Sequence, residues 1–271
     1  MLDVEVLEAI VLGVVQGIAE FLPISSSGHL VIFSELLDRW LGINASNSQK
    51  LQLNVTLHVG TLFAILVVYR SDLWQLRRQP RLLVAIILAS IPAGVVGIAL
   101  LDFFKAAFET PLVAALGLIV TAILLLVGQR WERNQQSLEQ LSYGSAFAVG
   151  VFQALALIPG ISRSGSTIAG GLLSGLQREA ATTFSFFIAI PAIGGAALLT
   201  AKDVLQGEGA GNSAVALIMG GFTSFVVGLF ALKWLIRIVS QRKLHWFAYY
   251  CLTVAVLTLV WQLSERLGSS G

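Results

Sequence analysis

Six separate stretches, at about 51–70, 80–101, 111–130, 182–201, 213–236 and 246–263, each run for roughly the 20 apolar residues that a helix needs to cross a hydrocarbon core. No other feature constrains the fold as strongly. Inside hydrocarbon every backbone polar group must be satisfied within its own segment, so such a chain folds as packed helices. Only 12% of its residues are charged and 56% are hydrophobic, whereas a soluble domain carries about 25% charged residues. A water-soluble domain is thereby excluded. Lys and Arg total 17 against 15 Asp and Glu, a net +2. That is too evenly balanced for the basic surface of a nucleic-acid binder, and no nucleic-acid partner is expected. Cys251 is the only cysteine, which excludes a disulfide framework. The connectors are too short for a separate soluble domain, so residues 1–271 read as a single integral membrane domain. The first eight residues hold Asp3, Glu5 and Glu8 and no Lys or Arg, the opposite of a basic leader, and no cleaved signal peptide is expected.

Two further apolar regions, about 6–40 and 144–177, are long enough to cross but are broken in the middle. The breaks are Pro23-Ile-Ser-Ser-Ser-Gly28 and Pro159-Gly-Ile-Ser-Arg-Ser-Gly165. Proline removes a backbone donor, and hydroxyl and guanidinium side chains cannot face lipid. Each region reads as a re-entrant hairpin, two half-helices meeting at a polar tip inside the protein. The alternative is a pair of ordinary kinked spans. The expected fold is therefore an all-α polytopic membrane protein with six transmembrane helices plus two re-entrant hairpins.

Basic residues in short loops favour the cytoplasmic side. With six crossings and two returning hairpins, Arg70, Arg77, Arg78, Arg81, Arg130, Arg133, Arg178, Lys233, Arg237, Arg242 and Lys243 fall on one face. Arg39, Lys50, Lys105, Lys202 and Arg266 fall on the other. The first face is expected to be cytoplasmic, with both termini outside.

A shift of 137 residues superposes the two broken regions without a gap: Gly13, Gln16, Ser25, Ser27 and Gly28 fall on Gly150, Gln153, Ser162, Ser164 and Gly165. These identities sit at the two polar breaks, which makes duplication the better reading. Repeat one covers about 6–130 and repeat two about 144–263. The three intervening spans invert the second copy, the layout in which broken helices bring their tips together near the midplane.

At the first tip, Gln16 and Glu20 are four residues apart and share a helix face. Glu20 is the one carboxylate between Val11 and Leu30, and an ionisable group at membrane depth is a functional candidate by default. Glu35 and Asp38 read as interfacial. His29 follows Ser25 by four residues and Ser26 by three, within reach of either hydroxyl on a helix. One reading is a serine made nucleophilic by an adjacent base. The other is a serine capping the second half-helix. At the second tip, Arg163 is the only charge between Glu139 and Arg178 and needs an anionic partner. Its planar fork suits phosphate oxygens, with hydroxyls and half-helix amides as further donors. A structural pair with Glu20 would also satisfy it. His58, inside a span, reads as a hydrogen-bonded packing histidine that could line the cavity. His245, beside Trp246 in a basic loop, reads as interfacial. Gly194-Gly195 and Gly220-Gly221 suit close helix packing.

At these tips the chain resembles the undecaprenyl-diphosphatase family of bacterial inner membranes, the bacitracin-resistance type. Its first motif stands here as QGIAEFLPISSSGH, Gln16 to His29, and its second as PGISRSGST, Pro159 to Thr167. Both are long and specific, and the likeness covers essentially the whole chain. The resemblance implies removal of the terminal phosphate from undecaprenyl diphosphate, recycling the lipid carrier of peptidoglycan and other wall polymers. It implies Glu20, Ser26, His29 and Arg163 as principal residues, with Gln16, Ser25, Ser27, Ser162, Ser164 and Thr167 around the substrate. It also implies a divalent cation, magnesium or calcium, on Glu20. Gln16 departs from members with Glu there, which shifts the burden of any metal to Glu20 and the diphosphate. Many members have arginine where this chain has Cys251. The expected partners are the lipid substrate and membrane lipids, and a homo-oligomer is compatible with the sequence.

Two rivals remain at this stage. The type-2 phosphatidate phosphatase fold shares Ser-Gly-His and Ser-Arg fragments, but it needs a second histidine after the Ser-Arg, and none follows Arg163 before His245. A polyprenyl-phosphate transporter or flippase would use the same inverted-repeat layout.

Overall fold

The computed structural model describes residues 2–41, 46–100, 111–133, 135–205 and 211–268. Helices α1 (Leu2–Ala19) and α2 (Ser26–Leu41) form the first broken region. α3 (Asn47–Val68), the short α4 (Arg70–Leu76), α5 (Pro80–Ala99) and α6 (Pro111–Arg130) follow. α7 (Tyr143–Leu155) and α8 (Arg163–Leu173) form the second broken region, and α9 (Arg178–Leu205), α10 (Ala214–Ser240) and α11 (Leu244–Gly268) complete the chain. Among the described residues the only β pairing is an isolated bridge between Gln136 and Leu176. The chain is all-helical, a multi-pass membrane protein.

Among the described residues six helices are long and apolar enough to cross: Ser48–Val68, Pro80–Ala99, Pro111–Arg130, Arg178–Leu199, Ala214–Ser240 and Leu244–Ser264. These are the six expected spans. Both predicted breaks fall where helices stop, between Ala19 and Ser26 and between Leu155 and Arg163. Lys105 lies outside the described residues, as do the side chains of Asp38, Arg39, Lys202 and Arg266. Large apolar side chains such as Ile87, Ile98, Phe222 and Phe230 point outward from α5 and α10, a surface suited to lipid.

Backbones approach closely where small residues face one another. A Cβ on Gly13 of α1 would stand 2.7 Å from the Gly220 carbonyl of α10, and one on Gly17 would stand 2.9 Å from the Ser224 carbonyl. α1 therefore runs parallel to α10 from that helix's first turns toward its middle. In the second broken region, a Cβ on Gly150 of α7 would meet the Ala89 carbonyl of α5 at 2.3 Å, and Leu157 lies against Gly97. α7 runs parallel to α5 in the same way. The tips touch reciprocally: Gly28 faces the Gly160 α-carbon, while Gly165 faces Pro23. The same 137-residue shift carries Gly28 to Gly165 and Pro23 to Gly160.

The tightest contact is at Gly160, whose φ of +87° lies in the left-handed region and whose Cβ would stand 1.9 Å from the Ala114 carbonyl of α6. Gly160→Ala is expected to destabilise the fold by on the order of 3 kcal/mol or more, combining a left-handed penalty with overpacking. A fall in the detergent-solubilised unfolding temperature measures it, and an unchanged value would contradict this packing.

The loops gather at two ends. At one, Glu132 pairs with Arg178 and lies 3.7 Å from Arg242, and Gln129 reaches His245 at 3.1 Å. A cavity of about 810 Å³ at this end is lined by Tyr69, Asp72, Gln79, Glu179, Lys233 and Arg237 among others. At the opposite end, Asn212 Nδ2 donates to the Gln49 carbonyl (2.7 Å) and to Gln52 (3.0 Å).

Candidate active site

The two tips are built alike. Ser162 ends in extended backbone, and its Oγ accepts from the Gly165 amide at 3.0 Å, an N-cap. Ser25 Oγ accepts from the Gly28 amide at 3.2 Å. Ser25 Oγ also lies 3.2 Å from Ser27 Oγ, and Ser162 Oγ lies 3.2 Å from Ser164 Oγ. At the first tip Ser25 has φ +70°, a left-handed conformation that non-glycine residues adopt mainly under local constraint. His29 supplies that constraint. Its Nδ1 lies 2.8 Å from the Ser25 carbonyl, and since a carbonyl only accepts, Nδ1 donates. Nε2 therefore accepts from the Tyr250 hydroxyl at 2.9 Å, with the two rings stacked at 5.6 Å.

Helix spacing leaves His29 within reach of Ser25 or Ser26, and the structure brings the ring to the Ser25 carbonyl rather than to the Ser26 hydroxyl. Both ring nitrogens are engaged elsewhere. Ser26 Oγ instead donates to Glu20 Oε2 at 2.7 Å. The serine's neighbouring base is thus the carboxylate.

Glu20 is the hub. Its side chain is 5% exposed. Arg163 Nη2 donates to Oε1 at 2.5 Å, and Gln16 Nε2 donates to Oε2 at 3.0 Å. Arg163 and Glu20 come from different broken regions and meet because the tips abut. The Ser164 hydroxyl also donates to the Leu22 carbonyl across that junction, at 3.3 Å. Arg163 Nη1 reaches the Ser185 carbonyl at 3.4 Å, and the guanidinium sits 5.7 Å from the Phe186 ring. The pair expected as one alternative for Arg163 is formed, and it leaves the Arg163 side chain 16% exposed at the junction.

The surrounding hydroxyls mostly serve the backbone. Thr167 donates to the Arg163 carbonyl (2.7 Å) and meets Ser185 Oγ at 2.5 Å. With the Gly28 and Gly165 amides taken by the serine caps, the donors an anion can recruit are the Arg163 fork, in exchange for its bond to Glu20, and the amides of Ser26, Ser27, Arg163 and Ser164, which precede the first intrahelical bond of α2 and α8.

Sequence reasoning undervalued His58 and missed Thr121, Ser185 and Tyr250. His58 Nε2 lies 3.5 Å from Glu20 Oε2, so it faces the site as well as hydrogen-bonding within its own helix. Thr121 of α6 donates to the Gly160 carbonyl and accepts from the Ser162 amide, both at 2.8 Å, bracing the second tip. A lone hydroxyl in an apolar span carries no signal that separates it from Thr258, which bonds its own helix. Cys251, at the departure from arginine, is buried and donates to the Pro23 carbonyl at 3.7 Å. His245 bonds Gln129 and packs on Trp246, as an interfacial residue would.

Among the described residues no three His, Cys, Asp or Glu side chains cluster. The donor set nonetheless suits a divalent cation shared with a diphosphate. Glu20 supplies a carboxylate, and the adjacent Gln16 Oε1 is fully buried with no hydrogen-bond partner. Magnesium is typically held by one or two carboxylates plus substrate phosphates.

The sequence profile described as Bacitracin resistance protein BacA matches residues 9–257. An undecaprenyl-diphosphatase of Rhodopirellula baltica is 43% identical, covering 96% of this chain and 99% of its own length. Undecaprenyl-diphosphatases of Alkaliphilus metalliredigens and Halothermothrix orenii are 37% and 39% identical, each covering 94% of this chain and 98% of their own length. A match of this extent, running through both tips and all six spans, places the chain in the bacitracin resistance protein BacA family.

Proposed function

We propose that this protein hydrolyses undecaprenyl diphosphate to undecaprenyl phosphate and phosphate, recycling the wall-polymer lipid carrier and thereby conferring bacitracin resistance. The observation that carries this reading is the junction of the tips, where Ser26 and Arg163 both bond one buried carboxylate, Glu20, at 2.7 and 2.5 Å. A transporter needs a binding site there but not a hydroxyl poised on a base, and the relatives named above are diphosphatases.

Phosphoryl transfer needs chiefly positioning and charge stabilisation. The arriving diphosphate takes the Arg163 fork from Glu20, and the first-turn amides of α2 and α8 add donors to its oxygens. Glu20, relieved of that cation, accepts the Ser26 proton as Oγ attacks the terminal phosphorus. The bond to the bridging oxygen breaks and undecaprenyl phosphate leaves. Glu20 passes the Ser26 proton to the departing undecaprenyl phosphate, then takes a proton from the water that attacks the phosphoserine and returns it to Ser26 Oγ as phosphate is released. His29 holds the Ser25 turn that aims Ser26. A bound divalent cation, magnesium or calcium, would neutralise diphosphate charge from a position held by Glu20 and Gln16.

The two broken regions serve as re-entrant hairpins of an inverted repeat. The parallel runs of α1 on α10 and of α7 on α5, and the reciprocal contacts of the tips, support this. Eleven basic residues clustered toward the Glu132 end support a cytoplasmic assignment for that end. The protein then lies in the bacterial inner membrane with both termini outside.

Purified protein in detergent, given undecaprenyl diphosphate, is expected to release phosphate and to stop when EDTA is added. Absence of release, with lipid movement in liposomes, would favour a transporter instead.

A further inference from the structure

We propose that His58 is a protein ligand of the divalent cation, making with Glu20 and Gln16 a mixed nitrogen and oxygen site. This rests on the proposed function only in placing a cation at Glu20. The geometry comes from three groups on different turns. His58 Nδ1 lies 2.9 Å from the Asn54 carbonyl one turn back, so Nδ1 donates there and Nε2 is the ring nitrogen free to bind a metal. Nε2 faces Glu20 Oε2 at 3.5 Å, longer than an ordinary hydrogen bond. A cation ligated by both atoms would span that separation.

The third group is Gln16, 0% exposed, with Oε1 lacking any hydrogen-bond partner while Nε2 of the same amide bonds Glu20 Oε2 at 3.0 Å. A buried amide oxygen without a partner is an exception that calls for an explanation. A half-turn about its soft terminal torsion brings Oε1 to the carboxylate, an orientation that is favourable only with a cation between them.

The surroundings agree. A histidine ligand characteristically donates its other ring nitrogen to a backbone carbonyl or carboxylate, which fixes the tautomer, and the Asn54 carbonyl does this for His58. The neighbouring α10 offers no competing charge at this level: Gly221 and Phe225 face Gly60, and Ser224 bonds the Leu57 carbonyl. The other nearby imidazole, His29, is committed to Ser25 and Tyr250.

An imidazole with one carboxylate and one amide is a softer set than a pair of carboxylates. It moves preference from calcium toward manganese and the later divalent metals.

The test uses the substrate-free full-length protein, stripped of metal in detergent and titrated with Mn2+ under electron paramagnetic resonance. Bound Mn2+ is expected to show electron spin-echo modulation from one imidazole nitrogen, altered by 15N-histidine labelling. His58→Gln is expected to abolish that modulation and weaken Mn2+ binding by about tenfold or more, the low end of what losing even an outer-shell partner does. His245→Gln should leave both unchanged. Absent Mn2+ binding, an oxygen-only signal in the unaltered protein, or modulation that survives His58→Gln overturns the proposal. The unaltered protein's spectrum decides nitrogen ligation whether or not the variant folds. Phosphate release with oxygen-only Mn2+ would sink the ligand while leaving the diphosphatase reading intact; nitrogen-ligated Mn2+ without release would do the reverse.

Discussion

Arg163→Ala is expected to lower kcat/KM for undecaprenyl diphosphate by about 10³-fold to 10⁵-fold, the range for an arginine that stabilises a transferring phosphoryl group. The same variant also tests the folded state, because Arg163 is the cation on Glu20 Oε1 and Glu20 is 5% exposed. Breaking a buried pair from one side leaves an uncompensated charge, a loss of about 3–5 kcal/mol. Gln16 and Ser26 still donate to Oε2, which places the loss toward the lower figure. Glu20→Gln in the Arg163→Ala background removes the orphaned charge and should restore stability but not activity. Arg163→Lys should recover only part of the rate, since an ammonium lacks the planar fork that grips two phosphate oxygens. Activity within tenfold of normal in a folded Arg163→Ala protein would leave the arginine as a structural partner of Glu20 and nothing more.

Ser26→Ala should abolish turnover to within the detection limit, a fall of about 10⁴-fold or more if the hydroxyl forms the phosphoenzyme. Its hydrogen bond to Glu20 at 2.7 Å makes a specific companion prediction. Glu20→Gln keeps the shape and can still hydrogen-bond Ser26, but it cannot take the proton, so kcat should fall by about 10²-fold to 10⁴-fold as for other lost general bases. If His29 were the base, Glu20→Gln would be mild and His29→Ala would match Ser26→Ala. The structure predicts otherwise: His29→Ala should act through the Ser25 turn and depress stability as well as rate. Near-normal turnover in Ser26→Ala would replace the covalent scheme by direct attack of water on the phosphorus. Rapid-quench capture of a labelled phosphoserine separates the two schemes independently of the rates.

Much of this was legible in the residues. The six spans follow from runs of apolar residues long enough to cross, because hydrocarbon imposes a length and forbids unsatisfied backbone. The breaks at Pro23 and Pro159 were legible for the same reason, and so was the importance of Glu20 and Arg163, isolated charges in apolar sequence. The partners of those charges were another matter. Helix spacing allows His29 to reach Ser25 or Ser26, but its engagement of the Ser25 carbonyl and of Tyr250, which comes from the last span, is visible only in the structure. Nothing in Thr56-Leu-His-Val-Gly60 points His58 at a carboxylate 38 residues earlier in the chain.

Alone, the sequence determined which segments enter the membrane, where they break and which two charges lie at the breaks. Those follow from the local cost of placing each residue in hydrocarbon, which depends on residue type and its near neighbours. The tertiary structure decided that Glu20 and Arg163 share one site, that the carboxylate rather than an imidazole holds Ser26, and that His58 and Tyr250 reach the same junction. Those are distances between residues far apart in the chain. They are set by how closely α1 and α10, α5 and α7, and the glycines of the two tips can approach, and that is a property of packing that no single segment carries.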